Sequence, residues 1–415
     1  MSDLYGGVFG MFRRRTRSKN RGVQSGRVQA VFMSSQRKII YADNAATTPL
    51  LPQALEAMLP FLKDDYANPS GIYSFARPAK KAIQEAREVI AECIGAKASE
   101  ICFTSGGTES NNWAIKSVIS SRFEKHPRIV TTQIEHHSIL NTCKSLREKG
   151  CIIDYIEPDT SGRIMPQWLA RALSSRYTAL TSVMMANNEI GTIQDIAALA
   201  SKSRQYDSVF HTDAVQAVGH IPIDVHKLDV DLLSASAHKF NGPKGIGFLY
   251  VREGLELSPY LNGGQQEQGR RAGTENVAGI VGMATALRYN VEQMEQTTAK
   301  LRQIEQAFVD ALRAAIPTVL INGGMANHLP GLVNLSIAGA YGEGLLHILD
   351  LKGCIVSTGA ACNSHSTEIS HVLYAIGSMK IFAKGTLRVS FGRFNEVEDA
   401  LRIAELIAKY AKKRD

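Results

Sequence analysis

Cysteine is scarce in this chain, which has six cysteines among 415 residues and no Cys-x-x-Cys pair. Disulfide-stabilised secreted domains are short and rich in cysteine, so the sequence excludes that class of protein. A closed zinc site needs several Cys or His ligands at short spacing, and the adjacent pair His136 and His137 does not supply one. We therefore expect a reducing compartment and no structural metal.

Long apolar runs are also missing. The longest uncharged stretch, residues 314–342, is interrupted by Pro317, Gly323, Gly324 and Pro330. A membrane-spanning helix needs about 20 consecutive, mainly apolar residues. The sequence therefore predicts a soluble protein that has no membrane among its partners.

An excess of positive charge is confined to the first 40 residues, although the formal net charge of the chain is +8. Nine of the 47 Lys and Arg residues and one of the 39 Asp and Glu residues lie there, so the rest of the chain is balanced. Only a clustered basic face would favour a polyanionic partner, and we do not expect nucleic acid to bind the folded body.

The basic arm, residues 1–38, permits several interpretations. We expect a disordered extension and a cytoplasmic protein, because the basic run follows the short apolar stretch 8–12 instead of preceding a long one, as it would in a secretory signal. An organelle transit peptide, an anion-binding tail and an extension upstream of Met33 remain alternatives.

Short β-branched runs alternate with longer amphipathic segments after the arm, which predicts an α/β fold with a mostly parallel sheet. Residues 39–290 are predicted to form a large domain. A long charged helix from residue 291 onward marks a smaller C-terminal α+β domain, residues 291–415. One helix is predicted from Pro78 to Cys93, with Gly95 ending it. The predicted strands include 101–104, 128–132, 179–184, 209–212, 232–235 and 246–251.

A glycine-containing turn between a strand and a helix spans residues 105–112, Ser-Gly-Gly-Thr-Glu-Ser-Asn-Asn. Glycine lets backbone N–H groups approach an anion, and the helix N-terminus and the Thr108 hydroxyl favour a phosphate there. A strand-to-helix turn with Thr108 as its cap is the alternative for this motif alone.

Two further sequence elements contain candidate reactive groups, a carboxylate and an amine. Asp213 ends an apolar strand, where its carboxylate could hold a pyridinium nitrogen, and Gln216 follows it. Lys239 lies between small residues after another strand and is a candidate for a Schiff base, with His238 beside it favouring the neutral amine. A helix cap for Asp213 and an ordinary surface position for Lys239 are the alternatives when each is taken alone.

With these elements in one chain, residues 39–412 resemble a pyridoxal-phosphate enzyme of fold type I, specifically a cysteine desulfurase of the class-V aminotransferase family. The resemblance implies a seven-stranded, mostly parallel sheet in the large domain and a homodimer with shared sites. The stretches that carry it are 41–49, 68–70, 105–112, 135–136, 187–191, Asp213 with Gln216, 236–239, 271–276, 357–362 and 387–393.

The resemblance also implies roles for individual residues around the cofactor ring. Lys239 would form the Schiff base and shuttle protons, and His136 would stack on the ring and assist proton transfer. Asp213 would hold the pyridinium nitrogen, while Gln216 and Asn188 would contact the ring hydroxyl.

The cofactor phosphate and the substrate have their own implied ligands. Gly107, Thr108, Ser236 and His238 would bind the phosphate, joined by Thr274 of the partner subunit. The carboxylate of L-cysteine would be bound by Arg388, with Asn188 nearby.

Cys362 separates a desulfurase from an aminotransferase. By the resemblance, its thiolate attacks the substrate sulfur, which leaves a persulfide on the enzyme and alanine as product. The persulfide sulfur then passes to an acceptor protein for iron–sulfur cluster, thio-cofactor or tRNA biosynthesis. Two departures limit the comparison: Gly107 stands where many relatives have Ala, and the run after Cys362 lacks the Pro expected near Ile369.

Alternative functions of the same fold remain open from the sequence. A selenocysteine lyase, or another pyridoxal-phosphate lyase or aminotransferase, would use the same cofactor site. From a different class, the basic arm could make the chain a nucleic-acid or membrane-surface binder, which would release its partner steeply as salt rises.

Overall fold

The computed structural model describes residues 39–121, 126–358 and 370–411, apart from the side chain of Lys380. The predictions for the arm and for Cys362 lie outside the described residues. The strands are β1 (Ile40–Tyr41), β2 (Ile101–Thr104), β3 (Arg128–Thr132), β4 (Ile152–Ile156), β5 (Leu180–Ser182), β6 (Val209–Asp213), β7 (Leu232–Ser236), β8 (Gly247–Val251), β9 (Leu320–Ile321), β10 (Leu332–Ser336), β11 (Cys354–Ile355) and β12 (Thr386–Ser390). The helices are α1 (Pro52–Lys63), α2 (Arg77–Ile94), α3 (Gly107–Ser120), α4 (His137–Glu148), α5 (Pro166–Ser174), α6 (Ile196–Gln205), α7 (Val225–Leu228), α8 (Val277–Glu292), α9 (Met294–Ala315), α10 (Gly342–Leu351), α11 (His371–Ala375), α12 (Lys380–Ala383) and α13 (Val397–Tyr410).

A seven-stranded sheet in the order β2-β8-β7-β6-β5-β3-β4 forms the centre of the larger part of the chain. Neighbouring strands from β4 to β7 are parallel, whereas β8 runs antiparallel to both β2 and β7. Strands β6, β7 and β8 are buried along their whole length, as expected for a sheet covered by helices on both faces. The predicted α/β fold with a mostly parallel seven-stranded sheet is confirmed.

The parallel strands bring the chemically important turns to one edge of the sheet. Strand β6 ends at Asp213, β7 ends at Ser236, and β3 is followed by the turn that leads to His136. Since carboxyl ends of parallel strands share an edge, residues far apart in sequence meet there.

The start, the buried face and the end of helix α2 follow from its local sequence. Pro78 lies in its first turn, where its missing N–H costs no intrahelical hydrogen bond. Ile83, Ala86 and Ile90 form its buried face. Gly95 ends the helix with φ at 69°, a left-handed conformation that glycine adopts without steric cost.

The long helix predicted from residue 291 corresponds to α9, which runs from Met294 to Ala315. Helix α8 ends at Glu292 and α9 begins at Met294, with Gln293 between them at φ −99° and ψ 9°. No Gly or Pro marks this break in the sequence, so the prediction placed the start of the helix three residues too early.

A separate hydrophobic core lies in the C-terminal part of the described chain. Helices α9 and α13 pack there beside the antiparallel sheet β12-β10-β9. Ala42 joins this core, and β1 pairs with β11. The division of the body at residue 290 into two domains stays a prediction. None of the described helices is long and apolar enough to cross a bilayer.

Candidate active site

A cavity of about 490 Å³ lies at the carboxyl edge of the sheet. Its size falls within the range of small-molecule sites. Thr274 is exposed and does not line the cavity, and Cys362 lies outside the described residues. The sequence-predicted residues that line it are Gly107, Thr108, His136, Asn188, Asp213, Gln216, Ser236, His238, Lys239 and Arg388.

One end of the cavity is formed by the first turn of α3. Gly106 has φ at 145°, a conformation that favours glycine, and a Cβ on Gly107 would lie 2.4 Å from a methyl carbon of Val215, so a larger residue there would require Val215 to shift. Gly106 caps the helix without a side chain, which leaves the first N–H groups of α3 without an intrahelical acceptor. The arrangement suits a phosphate group.

His238 lines the same cavity. Burial lowers its pKa to about 4, and the charges of Lys239 and Lys244 act in the same direction. Its ring is therefore neutral at physiological pH and can bind an anion as a hydrogen-bond donor, without a full positive charge. Ser236, buried at the end of β7, faces the same glycine turn, with its Oγ 3.3 Å from the position of a Cβ on Gly106.

Asp213 presents a buried and well-held carboxylate. Its Oδ2 accepts a hydrogen bond from Asn111 Nδ2 at 2.6 Å, and its Oδ1 accepts one from the Val215 N–H at 3.0 Å. These two donors fix the carboxylate at the end of β6, where a cationic ring nitrogen could meet it. Gln216, three residues later, donates from Nε2 to the Ala45 carbonyl at 2.9 Å.

Lys239 follows β7 in a short turn, and its amine reaches into the cavity wall. Nζ donates to the carbonyl oxygens of Ala45 and Ala46 at 2.7 and 2.8 Å. These two carbonyls help to hold the amine in place. An amine so placed can form a covalent bond to a carbonyl carbon or carry a proton.

His136 is the N-cap residue of α4. Its Nδ1 accepts a hydrogen bond from the Ser138 N–H at 3.1 Å, which fixes the ring at the start of the helix. Burial lowers its pKa, and Lys239 and His137 act in the same direction, whereas the charge of Asp213 opposes them. The imidazole is therefore held mainly neutral beside the cavity.

Arg388 is the buried cation of the cavity, with only 4% of its surface exposed. Nη1 donates to the Asn188 carbonyl and Nη2 to Asp43 Oδ1, both at 2.8 Å. Its Nε is buried and has no hydrogen-bond partner within the described structure. A buried N–H without an acceptor is costly, so the site is built to receive one, such as a carboxylate.

Several residues of the site were not predicted individually. Asp43 and Ala45 belong to a stretch that matched the family pattern, but their contacts to Arg388 and Lys239 depend on chain segments that are nearly 200 or more residues apart. Asn111 lies one helical turn after Gly107, and that spacing is the signal that could have placed it at the cavity. Ser138 follows His136 by two residues, as expected of a helix cap.

Glu135, next to His136, is a buried carboxyl whose titration affects stability. Its Oε1 accepts from Thr132 Oγ1 and from the Met184 N–H, while Oε2 has no partner within the described structure. Burial raises its pKa from 4.5 to about 8. The folded state therefore binds this proton more tightly than the unfolded state, and stability falls as pH rises from about 4.5 to about 8.

We predict that Glu135→Gln flattens this pH dependence. The amide oxygen can keep both accepted hydrogen bonds, and the variant has no charge to bury, so its stability relative to wild type should rise by about 1 kcal/mol per pH unit between pH 5 and 8. Urea unfolding at several pH values measures this. The exposed Glu157→Gln is the control, and parallel pH curves for wild type and Glu135→Gln would contradict the prediction.

The residues of the cavity fit pyridoxal phosphate. A glycine turn at a helix N-terminus provides an anion cradle, and Asp213 provides a buried carboxylate for a ring nitrogen. Lys239 provides an amine for the aldehyde, and His136 provides a flat ring beside the cavity. A single cavity therefore holds the donor set that this cofactor requires.

Comparisons with known proteins agree with this arrangement. The model of the family described as Aminotransferase class-V matches residues 40–403. A cysteine desulfurase IscS of Dictyoglomus turgidum is 48% identical over 363 residues, which cover 88% of this chain and 92% of that protein. A solved NifS-like protein is 34% identical, with a TM-score of 0.84 and coverage of 89% and 98% of the two chains. A solved structure of SspA in complex with cysteine is 36% identical, with a TM-score of 0.76 and coverage of 86% and 99%. The chain therefore belongs to the class-V aminotransferase family and, within it, to the pyridoxal-phosphate-dependent cysteine desulfurases.

Proposed function

We propose that this protein converts L-cysteine to L-alanine and takes up the sulfur as a persulfide on Cys362. The sulfur then passes to an acceptor protein that serves iron–sulfur cluster or thio-cofactor biosynthesis. The observation that carries this proposal is the cavity in which Lys239, Asp213 and Arg388 meet, in a chain of the cysteine desulfurase family.

Pyridoxal phosphate, when bound, supplies an electron sink for charge that develops on the substrate carbon. The buried Asp213 carboxylate would hold a proton at the ring nitrogen, because Asn111 and the Val215 N–H keep the carboxylate in place. Lys239 Nζ would take a proton from the substrate α-carbon and return one later. The first turn of α3, with Ser236 and His238, would bind the phosphate.

Arg388 would bind the substrate carboxylate through its unpartnered Nε and an adjacent Nη. Asp43 and the Asn188 carbonyl hold the guanidinium in plane, so the planar group is oriented before the substrate arrives. Lysine would offer a point charge that cannot keep both contacts and also bind a carboxylate through two parallel hydrogen bonds.

We predict that Arg388→Lys raises KM for L-cysteine about 10- to 100-fold, with a smaller effect on kcat, since one charge-assisted pair is lost mainly from substrate binding. Steady-state kinetics of alanine formation measure the change. Arg393→Lys is a matched control because Arg393 donates to Asn290 at 2.7 Å and does not line the cavity. An unchanged KM in Arg388→Lys would remove Arg388 from the carboxylate site.

The assignment of the persulfide to Cys362 is supported by the state of the other cysteines. Burial raises the pKa of the Cys93 thiol to about 11 and that of Cys143 to about 12. It also raises the pKa values of Cys102, Cys151 and Cys354. None of these five thiols lines the cavity, and each is poorly suited to act as a thiolate.

The sulfur transfer balances without an external oxidant. The Cys362 thiolate attacks the substrate sulfur, a sulfur–sulfur bond forms, and the bond from sulfur to the β-carbon breaks. The carbon keeps the electron pair and takes up a proton, so the substrate becomes alanine. An acceptor thiol then takes the outer sulfur from Cys362.

A cytoplasmic homodimer is part of the proposal. Thr274 is exposed and does not line the cavity of its own chain, which suits a contribution to the phosphate site of a second subunit. The outer face of α1 exposes Leu55, Leu59 and Leu62, which are 46%, 42% and 59% accessible and could be covered by a partner.

Product analysis of the protein loaded with pyridoxal phosphate tests the proposed activity. With L-cysteine and a thiol reductant, alanine and sulfide should form in equal amounts. A strong preference for selenocysteine would favour the lyase alternative, and formation of a keto acid instead of alanine would favour an aminotransferase.

A further inference from the structure

A continuous chain of hydrogen bonds joins His136 to Asp213 through the side chains of Ser138 and Asn111. Asn111 Nδ2 donates to Asp213 Oδ2 at 2.6 Å and to Ser138 Oγ at 2.8 Å. Ser138 Oγ lies 2.8 Å from His136 Nδ1, and the Ser138 N–H donates to the same nitrogen at 3.1 Å. Asn111 and Ser138 are buried, and both line the cavity.

The direction of each bond is set by chemistry. A backbone N–H can only donate, so His136 Nδ1 must be an acceptor and carries no proton. The neutral imidazole therefore has its proton on Nε2. The Ser138 hydroxyl donates a hydrogen bond to the same Nδ1, and its oxygen accepts one from Asn111.

The orientation of the Asn111 amide follows from the same chain. Its two N–H groups go to Ser138 Oγ and to the Asp213 carboxylate. The reverse orientation would place the amide oxygen against Asp213 Oδ2 at 2.6 Å, two acceptors facing each other. Asn111 therefore holds Ser138 and Asp213 at a fixed separation.

We propose that Ser138 and Asn111 are positioning residues that hold His136 as the Nε2–H tautomer and fix its ring relative to the Asp213 carboxylate. The inference rests on the proposed function, in which both His136 and Asp213 contact the cofactor ring. With this tautomer, His136 offers a proton donor at Nε2, while Nδ1 is occupied by its hydrogen bonds with Ser138.

Several ionisable groups around His136 affect its pKa. Asp213 favours the charged ring, whereas burial, Lys239 and His137 disfavour it. His371 packs against His137 with ring centroids 4.9 Å apart. The Ser138 hydroxyl adds a donor to Nδ1, which favours the neutral ring, so its removal should raise the pKa of His136.

Nitrogen NMR of the holoenzyme with ¹⁵N-labelled histidine tests the proposal, with the His136 signals assigned by loss in His136→Gln. In wild type, Nδ1 should show the shift of an unprotonated, hydrogen-bonded nitrogen and Nε2 that of an N–H. Ser138→Ala should raise the pKa of His136 by about half a unit to one unit, since one hydrogen bond to the neutral form is lost. The acidic limb of the pH profile of kcat should move by the same amount.

Three further variants make the result specific. Ser138→Thr keeps a hydroxyl and should restore the wild-type titration. Asn111→Ala should move the His136 pKa in the same direction as Ser138→Ala, because the Ser138 hydroxyl loses its fixed orientation. Thr142→Val is the control, since it removes a buried hydroxyl one turn along α4 that bonds to Asn112 and the Ser138 carbonyl.

A proton on Nδ1 in wild type would overturn the proposal, and so would an unchanged His136 pKa in Ser138→Ala. An equal pKa shift in Thr142→Val would also overturn it, because a general disturbance of α4 would then be the cause. The NMR readout does not depend on turnover. A protein that shows the predicted tautomer but forms no alanine from L-cysteine would therefore contradict the proposed function and leave this inference standing.

Discussion

Lys239→Ala is expected to lower kcat for alanine formation at least about a thousandfold. The variant loses the amine that donates to the Ala45 and Ala46 carbonyls, at 2.7 and 2.8 Å. Loss of a positioned proton carrier alone costs about 10²- to 10⁴-fold, and loss of the covalent attachment of the cofactor adds to it. Initial rates of alanine formation with saturating pyridoxal phosphate measure the effect.

Two controls separate chemistry from folding in this variant. Lys239→Arg keeps a cation that can donate to the two carbonyls, yet it cannot form the covalent bond, so it should be as inactive as Lys239→Ala. Circular dichroism and the urea midpoint should show both variants folded. Activity within tenfold of wild type in either variant would show that Lys239 is not the catalytic amine.

Cys362→Ala is the second large effect, with an expected loss of at least about a thousandfold in the rate of sulfur delivery. The attacking group is a thiolate, and alanine offers no nucleophile in its place. Cofactor binding should persist, because the residues that fit the cofactor lie on other segments. Sulfide release and alanine formation, measured together, follow the loss.

Cys93→Ala is the matched control for the Cys362 variant. Cys93 is half-buried on α2, and burial raises the pKa of its thiol to about 11, so it should contribute nothing to sulfur transfer. The control should keep wild-type turnover. If Cys362→Ala delivers sulfur as fast as Cys93→Ala, the persulfide mechanism is wrong for this protein.

The sequence predicted the sheet well because its strands are short, buried and β-branched. The bounds of β2 and β3 agree with the prediction, and β6 and β7 are each one residue longer at their carboxyl ends. The antiparallel direction of β8 was not predicted, since a buried strand shows the same pattern in either direction. Strand β4, at the edge of the sheet, was missed altogether.

The ligands of the cofactor were predictable because each lies in a motif with a chemical reason of its own. The contacts that hold those ligands in place could not be predicted from the sequence. Asp43 meets Arg388 across 345 residues, and Asn111 meets Asp213 across 102, so only the folded chain brings them together. The sequence also could not predict that the Ser138 hydroxyl bonds to His136, because that contact depends on the 2.8 Å distance between Ser138 Oγ and His136 Nδ1.

His371 is a residue whose contacts the sequence did not predict. In the sequence it resembles a solvated loop residue, because polar residues precede it. In the structure its Nε2 lies 3.0 Å from the Glu135 carbonyl, and its ring packs on His137. Its neighbour Ser370 bonds to the buried Glu189 at 2.5 Å. The described chain that follows Cys362 is thus anchored to the segments that carry His136 and Asn188.

The most direct test of the central claim is mass spectrometry of the holoenzyme after one turnover with stoichiometric L-cysteine and no reductant. Alkylation and digestion should show one added sulfur on the peptide that contains Cys362, with about one alanine formed per modified subunit. Sulfur on a different cysteine, or alanine formed while Cys362 remains unmodified, would contradict the proposed mechanism.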